Sequence, residues 1–210
     1  MQNEIIIAGF GGQGVLLAGT LLAQAAIEQG LHTTWFPSYG AEMRGGTANS
    51  TVVISTDEIG SPLAFNPNAL IALNEPSLNK FMPRMSASSV IIANSSIISR
   101  DKEYKIPPVF VPVTAIADKE IGNVKTANLV AVGALIKALE LFAGGNCGNS
   151  SHGRRQNEKE EGDLCGLEDT KVLTLKSALT ACEKAFSSKP ALIEINKKAI
   201  QAGYGFIKQL

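Results

Sequence analysis

The chain has 210 residues, 45% of them apolar and only 18% charged, with a formal net charge of zero. That length suits one compact domain with a buried core, and the thin charged coat leaves surface for a partner to cover. The charge balance argues against nucleic acid or an anionic membrane as that partner.

The N-terminus enters a strand directly, without a basic segment ahead of a long apolar run, so no signal peptide is expected and the cytoplasm is the expected compartment. Glu4–Ala8 reads as a short apolar strand of the kind buried in a parallel sheet. The stretch GFGGQGVLLAGTLLAQAA follows and sets Gly9, Gly11 and Gly14 in a G-x-G-x-x-G frame where strand hands over to helix. The helix expected over Gly14 to Gln29 is apolar almost all round, with Thr20, Gln24 and Glu28 as a polar stripe, so it should be buried on two sides. Gly30 ends it.

Leu31–Phe36 reads as a second strand that Pro37 breaks, ahead of a loop with Ser38, Tyr39, Gly40, Glu42, Arg44, Gly45 and Gly46. Thr47–Ser55 is β-branched and predicts a third strand, and irregular structure is expected over 57–68. Leu70–Leu73 and Val90–Ala93 predict strands flanking a helix that starts near Pro76, with Glu75 as its helix-start residue. Val109–Val113 is another strand, 114–121 a short helix, and Thr126 a cap for a long apolar helix from Ala127 to Ala143. Lys137 and Glu140 interrupt that helix, which falls short of the roughly 20 apolar residues of a membrane span.

Residues 144–169 are rich in Gly, Asn and charge and predict a mobile surface loop. Order resumes at Leu173-Thr174, where Leu173 can staple and Thr174 can cap a helix whose apolar face is Leu175, Leu179, Cys182 and Phe186. A last helix is expected after Asn196. The alternation predicts an α/β fold, a Rossmann-like, mostly parallel sheet flanked by helices, with the C-terminal helices packing on it. The expected organisation is one domain over 1–210.

A glycine loop at a strand-to-helix turn brings backbone close to a ligand and leaves first-turn N–H groups for an anion, which phosphate, pyrophosphate or carboxylate would satisfy. An NAD site would add an Asp or Glu about 20 residues on, yet His32-Thr33-Thr34-Trp35-Phe36-Pro37-Ser38 has none. The glycines could also serve only tight helix–strand packing. Arg44 could fork onto a phosphate or carboxylate, or pair with Glu42. Asn128 could reach a ligand or bond local backbone. His32 and His152 are isolated, and Cys147, Cys165 and Cys182 form no C-x-x-C, so neither a catalytic set nor a metal site is expected.

GFGGQGVLLAG, then PSYGAEMRGGTANSTVVIS and IGSP, resembles the gamma subunit or gamma domain of the 2-oxoacid:ferredoxin (acceptor) oxidoreductases. The similarity continues through Ala69–Leu73, Asn128–Gly133 and the Asn196, Ala199, Gly203 spacing, while 144–169 has no counterpart. The resemblance implies a non-catalytic subunit of a hetero-oligomer that decarboxylates a 2-oxoacid, makes the acyl-CoA and reduces ferredoxin. It implies alpha and beta partners, with a ferredoxin-type delta subunit as a further one, which carry thiamine diphosphate and iron–sulfur clusters. Here it implies coenzyme A contact by Gly11, Gly12, Gln13 and Gly14, supported by Ser38 and Arg44 facing ligand or partner, with Asn128 added from the helix start. The 2-oxoglutarate branch is the nearest in pattern, followed by the 2-oxoisovalerate and pyruvate branches; a related domain occurs in indolepyruvate oxidoreductases. The rival reading is a stand-alone Rossmann-like nucleotide-dependent oxidoreductase.

Overall fold

A computed structural model describes residues 2–39, 47–144 and 173–207. The chain runs β1 (Gln2–Phe10), α1 (Val15–Glu28), β2 (His32–Tyr39), β3 (Thr47–Ser55), β4 (Ala69–Ala72), α2 (Glu75–Phe81), β5 (Val90–Asn94) and β6 (Val109–Val111). It continues with α3 (Val113–Lys119), α4 (Ala127–Gly144), α5 (Leu175–Ala185) and α6 (Ile193–Ile207). The six strands lie in the order β2-β3-β1-β4-β5-β6.

β1, β4, β5 and β6 pair in parallel, whereas β3 is antiparallel to both β1 and β2. Five strands therefore run one way and β3 runs against them. The consequence for the site is that β2 is separated from β1 by β3. In a dinucleotide-binding sheet the second strand lies beside the first and brings its ribose acid next to the glycine loop; here the neighbouring place belongs to an antiparallel strand.

Alternation along β1 divides the core. Ile5 and Ile7, with Val52, Ile54, Ile71 and Ile92, face the layer of α1 and α4, while Ile6 and Ala8, with Leu70, Ala72, Ile91 and Ala93, face Leu78 and Phe81 of α2. Each fully buried Ile or Leu contributes about 1.5–3 kcal/mol relative to exposure. The C-terminal helices close the first face as a further layer, α5 against α1 and α6 against α4. Helix α1 is thus covered on two sides, and its polar stripe is joined by a 2.9 Å bond from Gln24 Nε2 to Glu28 Oε1. Glu28 also meets Lys184 of α5 at 2.6 Å, and that ion pair holds its carboxyl below the usual carboxylate range.

Several boundaries differ from the sequence expectation by a few residues, β6 for example ending at Val111 rather than Val113, and two of the differences have a clear cause. Pro37 stays inside β2, opposite Ser50, because β2 is an edge strand and the missing N–H need not interrupt a central ladder. Helix α6 begins at Ile193, ahead of Asn196, after a tight turn over Pro190–Leu192. Thr174 caps α5 by accepting from Ser177 N at 3.2 Å, with Leu173 buried beneath it. Thr126 turns its hydroxyl back to Asn123 O at 2.8 Å, closing the turn that leads into α4. The loop expected over 144–169 lies outside the described residues apart from its first residue, the last of α4. No helix among the described residues is long and apolar enough to cross a membrane.

Candidate functional site

The parallel strands β1, β4 and β5 end together, and the chain leaves them at Phe10, Leu73 and Asn94. Consecutive elements extend to one side of β1 through β2 and β3, and to the other through β4, β5 and β6. Such a reversal of strand order opens a crevice at the carboxyl ends of the strands, where open α/β sheets bind ligands. Here it is a cleft of about 260 Å³ lined by Gly12, Gln13, Asn94, Thr114 and Lys125, with Leu73, Ile97, Val124 and Ala127 as its apolar part.

The internal hydrogen bonds decide which groups remain for a ligand. Gln13 Oε1 accepts from Phe10 N at 2.7 Å and from Asn74 Nδ2 at 3.2 Å, so its amide NH₂ is the end left over. Asn94 donates to Leu73 O at 3.3 Å and to Thr114 Oγ1 at 2.9 Å, and its Oδ1 accepts from Ser96 N. With that acceptance made, the Thr114 hydroxyl is left to donate. Lys125 has no ion-pair partner among the described residues. Side-chain acceptors are engaged within the protein and donors are left facing the cleft, and none of the lining residues is acidic. A cleft with that lining suits an anion.

Gly12 also belongs to a second, more apolar cleft of about 400 Å³, lined by Phe10, Gly11, Gly14, Val15, Leu16 and Ala48. It has φ +97°, a backbone conformation that favours glycine, and a Cβ built on it would meet nothing within 4 Å. The space above Gly12 is open. Gly14 is the N-cap of α1 at φ +73°, and no side-chain hydrogen bond caps this end. The first-turn amides of a helix have no intrahelical partner, and Val15 and Leu16 of that turn line the second cleft.

The predicted site residues that the structure describes separate into three groups. Gly11, Gly12, Gln13 and Gly14 are brought together at the two clefts. Asn128 is 1% exposed and lies beneath the loop, donating to Gly14 O at 2.9 Å, with its own Oδ1 buried and unpartnered. It holds the turn from within, a bond across the chain that neither a ligand contact nor a local backbone bond describes. Ser38 is exposed at the same end of the sheet, but in the row Ser38, Asn49, Ala8 it stands two strand spacings from β1, about 10 Å. Arg44, with Glu42, lies outside the described residues.

Asn74, Asn94, Thr114 and Lys125 were not expected at the site. The two asparagines carry a readable signal: IALN and IIAN each place Asn at the carboxyl end of an apolar parallel strand, the end where ligands bind. Lys125 has no such mark, since only the fold carries it back to Gln13.

Comparison with known proteins fits this geometry. The profile of the family described as Pyruvate ferredoxin/flavodoxin oxidoreductase matches residues 4–147. Ketoisovalerate oxidoreductase subunit VorA of Methanothermobacter marburgensis is 34% identical over 202 residues, which are 96% of this chain and 36% of the relative. The chain therefore spans about a third of that relative's length. 2-Oxoglutarate synthase subunit KorC of the same organism is 37% identical over 145 residues, 66% of this chain and 78% of the relative. Among solved structures, the keto/oxoacid ferredoxin oxidoreductase gamma subunit from Geobacter sulfurreducens superposes with a TM-score of 0.69 at 26% identity, covering 97% of this chain and 96% of that one. The fold also matches 2-oxoglutarate:ferredoxin oxidoreductase from Magnetococcus marinus, solved with 2-oxoglutarate, coenzyme A and succinyl-CoA bound, at a TM-score of 0.74 and 18% identity, over 100% of this chain and 31% of that one. From the glycine loop, the mixed sheet and these matches together, the chain is a member of the pyruvate ferredoxin/flavodoxin oxidoreductase family, of the gamma-subunit type.

Proposed function

We propose that this chain is the coenzyme A-binding and assembly subunit of a cytoplasmic 2-oxoacid:ferredoxin oxidoreductase. The complex converts a 2-oxoacid and coenzyme A to the acyl-CoA and CO₂ while two electrons pass to ferredoxin. In this reading the alpha and beta chains hold thiamine diphosphate, which supplies the carbanion chemistry, and iron–sulfur clusters on partner chains carry the electrons. This chain's own task is to bind and orient the thiol carrier. Gly12 and the unpaired first-turn amides of α1 accept the pyrophosphate, while Gln13, Thr114 and Lys125 give donors to the remaining phosphate. Ser38 and Arg44 support the ligand or a partner from the β2–β3 side, and Asn128 fixes the turn through Gly14.

The observation that carries this reading is the donor-lined cleft joined through Gly12 to an apolar one. It fits a ligand that is anionic in one part and uncharged in another. The coenzyme A complex of the Magnetococcus enzyme supports the choice of ligand. For the oxoacid we take 2-oxoglutarate, supported by the match over most of the KorC length; 2-oxoisovalerate is the second reading, favoured by the VorA match along nearly the whole of this chain.

Titrating the full chain with coenzyme A and with NAD(H), by calorimetry, tests the proposal. Binding of coenzyme A without a response to NAD(H) is expected; tight NAD(H) binding with none for coenzyme A would instead support the stand-alone oxidoreductase. Purification from the native host should bring down a complex containing thiamine diphosphate and iron.

A further inference from the structure

We infer that two copies of this chain join edge to edge through β2, antiparallel about a two-fold axis normal to the sheet, so that their two six-stranded sheets run on as one. This flank lies opposite β6, and the pairing does not depend on the coenzyme A reading.

The two edges of the sheet are built differently. An edge strand exposes a row of unpaired backbone groups, which proteins blunt by shortening the strand or placing charge beside it. β6 is blunted in both ways, with three residues and Arg100 over the ring of Phe110 at 5.6 Å. β2 has eight residues, HTTWFPSY, with no Asp, Glu, Lys or Arg among them. It pairs with β3 on one side, and no strand among the described residues takes the other. Pro37 removes at most one donor from that row and leaves His32–Phe36 able to pair.

The side chains along this edge are apolar and exposed. Register sets Trp35 on the α1 face, opposite Val52, and Phe36 on the other face; they are 39% and 44% exposed. Gly19 of α1 lies against Trp35, while α4 and α5 cover the helix on its other flank. Helical spacing then turns Leu16, Thr20 and Ile27 toward the β2 edge, and Ile27 is 54% exposed. The polar atoms of the strip are already used within the chain: Thr20 Oγ1 donates to Leu16 O at 3.0 Å, and Trp35 Nε1 to Ser50 Oγ at 3.0 Å. The carboxylate of α1 is turned away, to Lys184 of α5.

A second copy is the occupant this strip suits. A two-fold axis normal to the sheet makes β2 its own antiparallel neighbour, and it keeps both α1 helices on one face. The strip then meets itself. Like on like is unfavourable for a charged edge and favourable here, where aromatic rings stand at the middle of the strand and an aliphatic stripe runs beside it. Eight residues make the strip about 26 Å long, and the sheet with its helix layer is about 20 Å high. Two copies thus cover about 1,000 Å² in projection, the size at which specific association begins.

Sedimentation equilibrium of the full chain tests the pairing, and the parent chain should sediment at twice the mass of one copy. Phe36→Lys and Phe36→Glu each set like charges beside the axis and should raise the dissociation constant about a hundredfold. Mixed in equal amounts they should pair again, since lysine then faces glutamate. Ile27→Lys should weaken the dimer from the helix stripe, and it serves if circular dichroism shows that the Phe36 variants do not fold. A parent chain that stays monomeric at high micromolar concentration would overturn the inference, as would a dimer that none of these variants weakens. Phe36 variants that dissociate but do not recombine on mixing would also overturn it, because the axis at the middle of β2 requires that recombination. A native complex holding a single copy of this chain would do the same.

Discussion

The glycines of the first turn and those of the α4–α6 crossing look alike in sequence and do opposite work. At the crossing, a Cβ on Gly133 would strike Ile200 O and one on Gly203 would strike Val130 O, so the two helix backbones touch and leave no volume for a methyl group. At the turn, Gly12 has nothing within 4 Å of its missing Cβ, and only its backbone angle requires glycine. The G-x-G-x-x-G frame is itself divided. Gly9 is a packing glycine, with Gln13 Oε1 at 2.7 Å and Val15 Cγ2 at 3.0 Å from a built Cβ, whereas Gly12, which stands outside the frame, faces the open clefts. Packing and ligand access are alternative readings of one loop: Gly9 fits the first, and the open space over Gly12 leaves room for the second.

The same substitution at different glycines should therefore separate stability from binding. The largest effect is expected for Gly203→Ala, where two backbones must part: a loss of about 3 kcal/mol or more, seen as a lowered denaturation midpoint. If Gly203→Ala were as stable as the parent chain, the contrast would fail at its packing end. Gly14→Ala is expected to cost about 1–3 kcal/mol, because φ is +73° and Asn128 Nδ2 stands 2.5 Å from the built Cβ. Combining it with Asn128→Gly removes the clash and keeps the strained angle, so the two costs should not add in a double-mutant cycle.

For Gly12→Ala the expected loss is smaller, about 1–2 kcal/mol from the positive φ alone, with the chain folded at room temperature. Its coenzyme A affinity should fall well beyond what that modest destabilisation explains. Unaltered affinity would take Gly12 out of the site. The smallest effect concerns Cys182, which lies fully buried on the inner face of α5, where desolvation pushes its thiol up to about 11. With Cys147 and Cys165 replaced by serine, the chain should resist alkylation near neutral pH until it unfolds. Because the folded thiol titrates above its ordinary value, stability should be unaffected by this group at neutral pH and decline as alkali removes the proton more readily from the unfolded chain.

How far the sequence reveals this molecule follows from how local each feature is. Strand β3 was legible residue for residue, because nine residues with a β-branched core and a clear flank leave little choice. The capping of α5 by Thr174 and the end of α1 at Gly30 were equally local and equally legible. The direction of β3 was not. Whether a strand pairs parallel or antiparallel depends on the route of the chain between strands, and β3 returns along β2 to lie between it and β1. The glycine turn was legible for the same local reason, whereas Lys125 reaches the cleft only after the whole sheet has formed. Asn128 shows the intermediate case: the sequence marked the residue, but the contact it makes spans 114 positions to Gly14.

The bracing of the polar cleft has a thermodynamic consequence. Gln13 is tied to Asn74, and Asn94 to Thr114, by hydrogen bonds within the fold. Freezing a rotamer-rich side chain on association costs about 0.5–1.5 kcal/mol, and for these four that ordering is already done during folding. Lys125 is then the principal side chain whose freedom docking must restrict, so capture should cost little entropy and the rim should be ready at the first encounter.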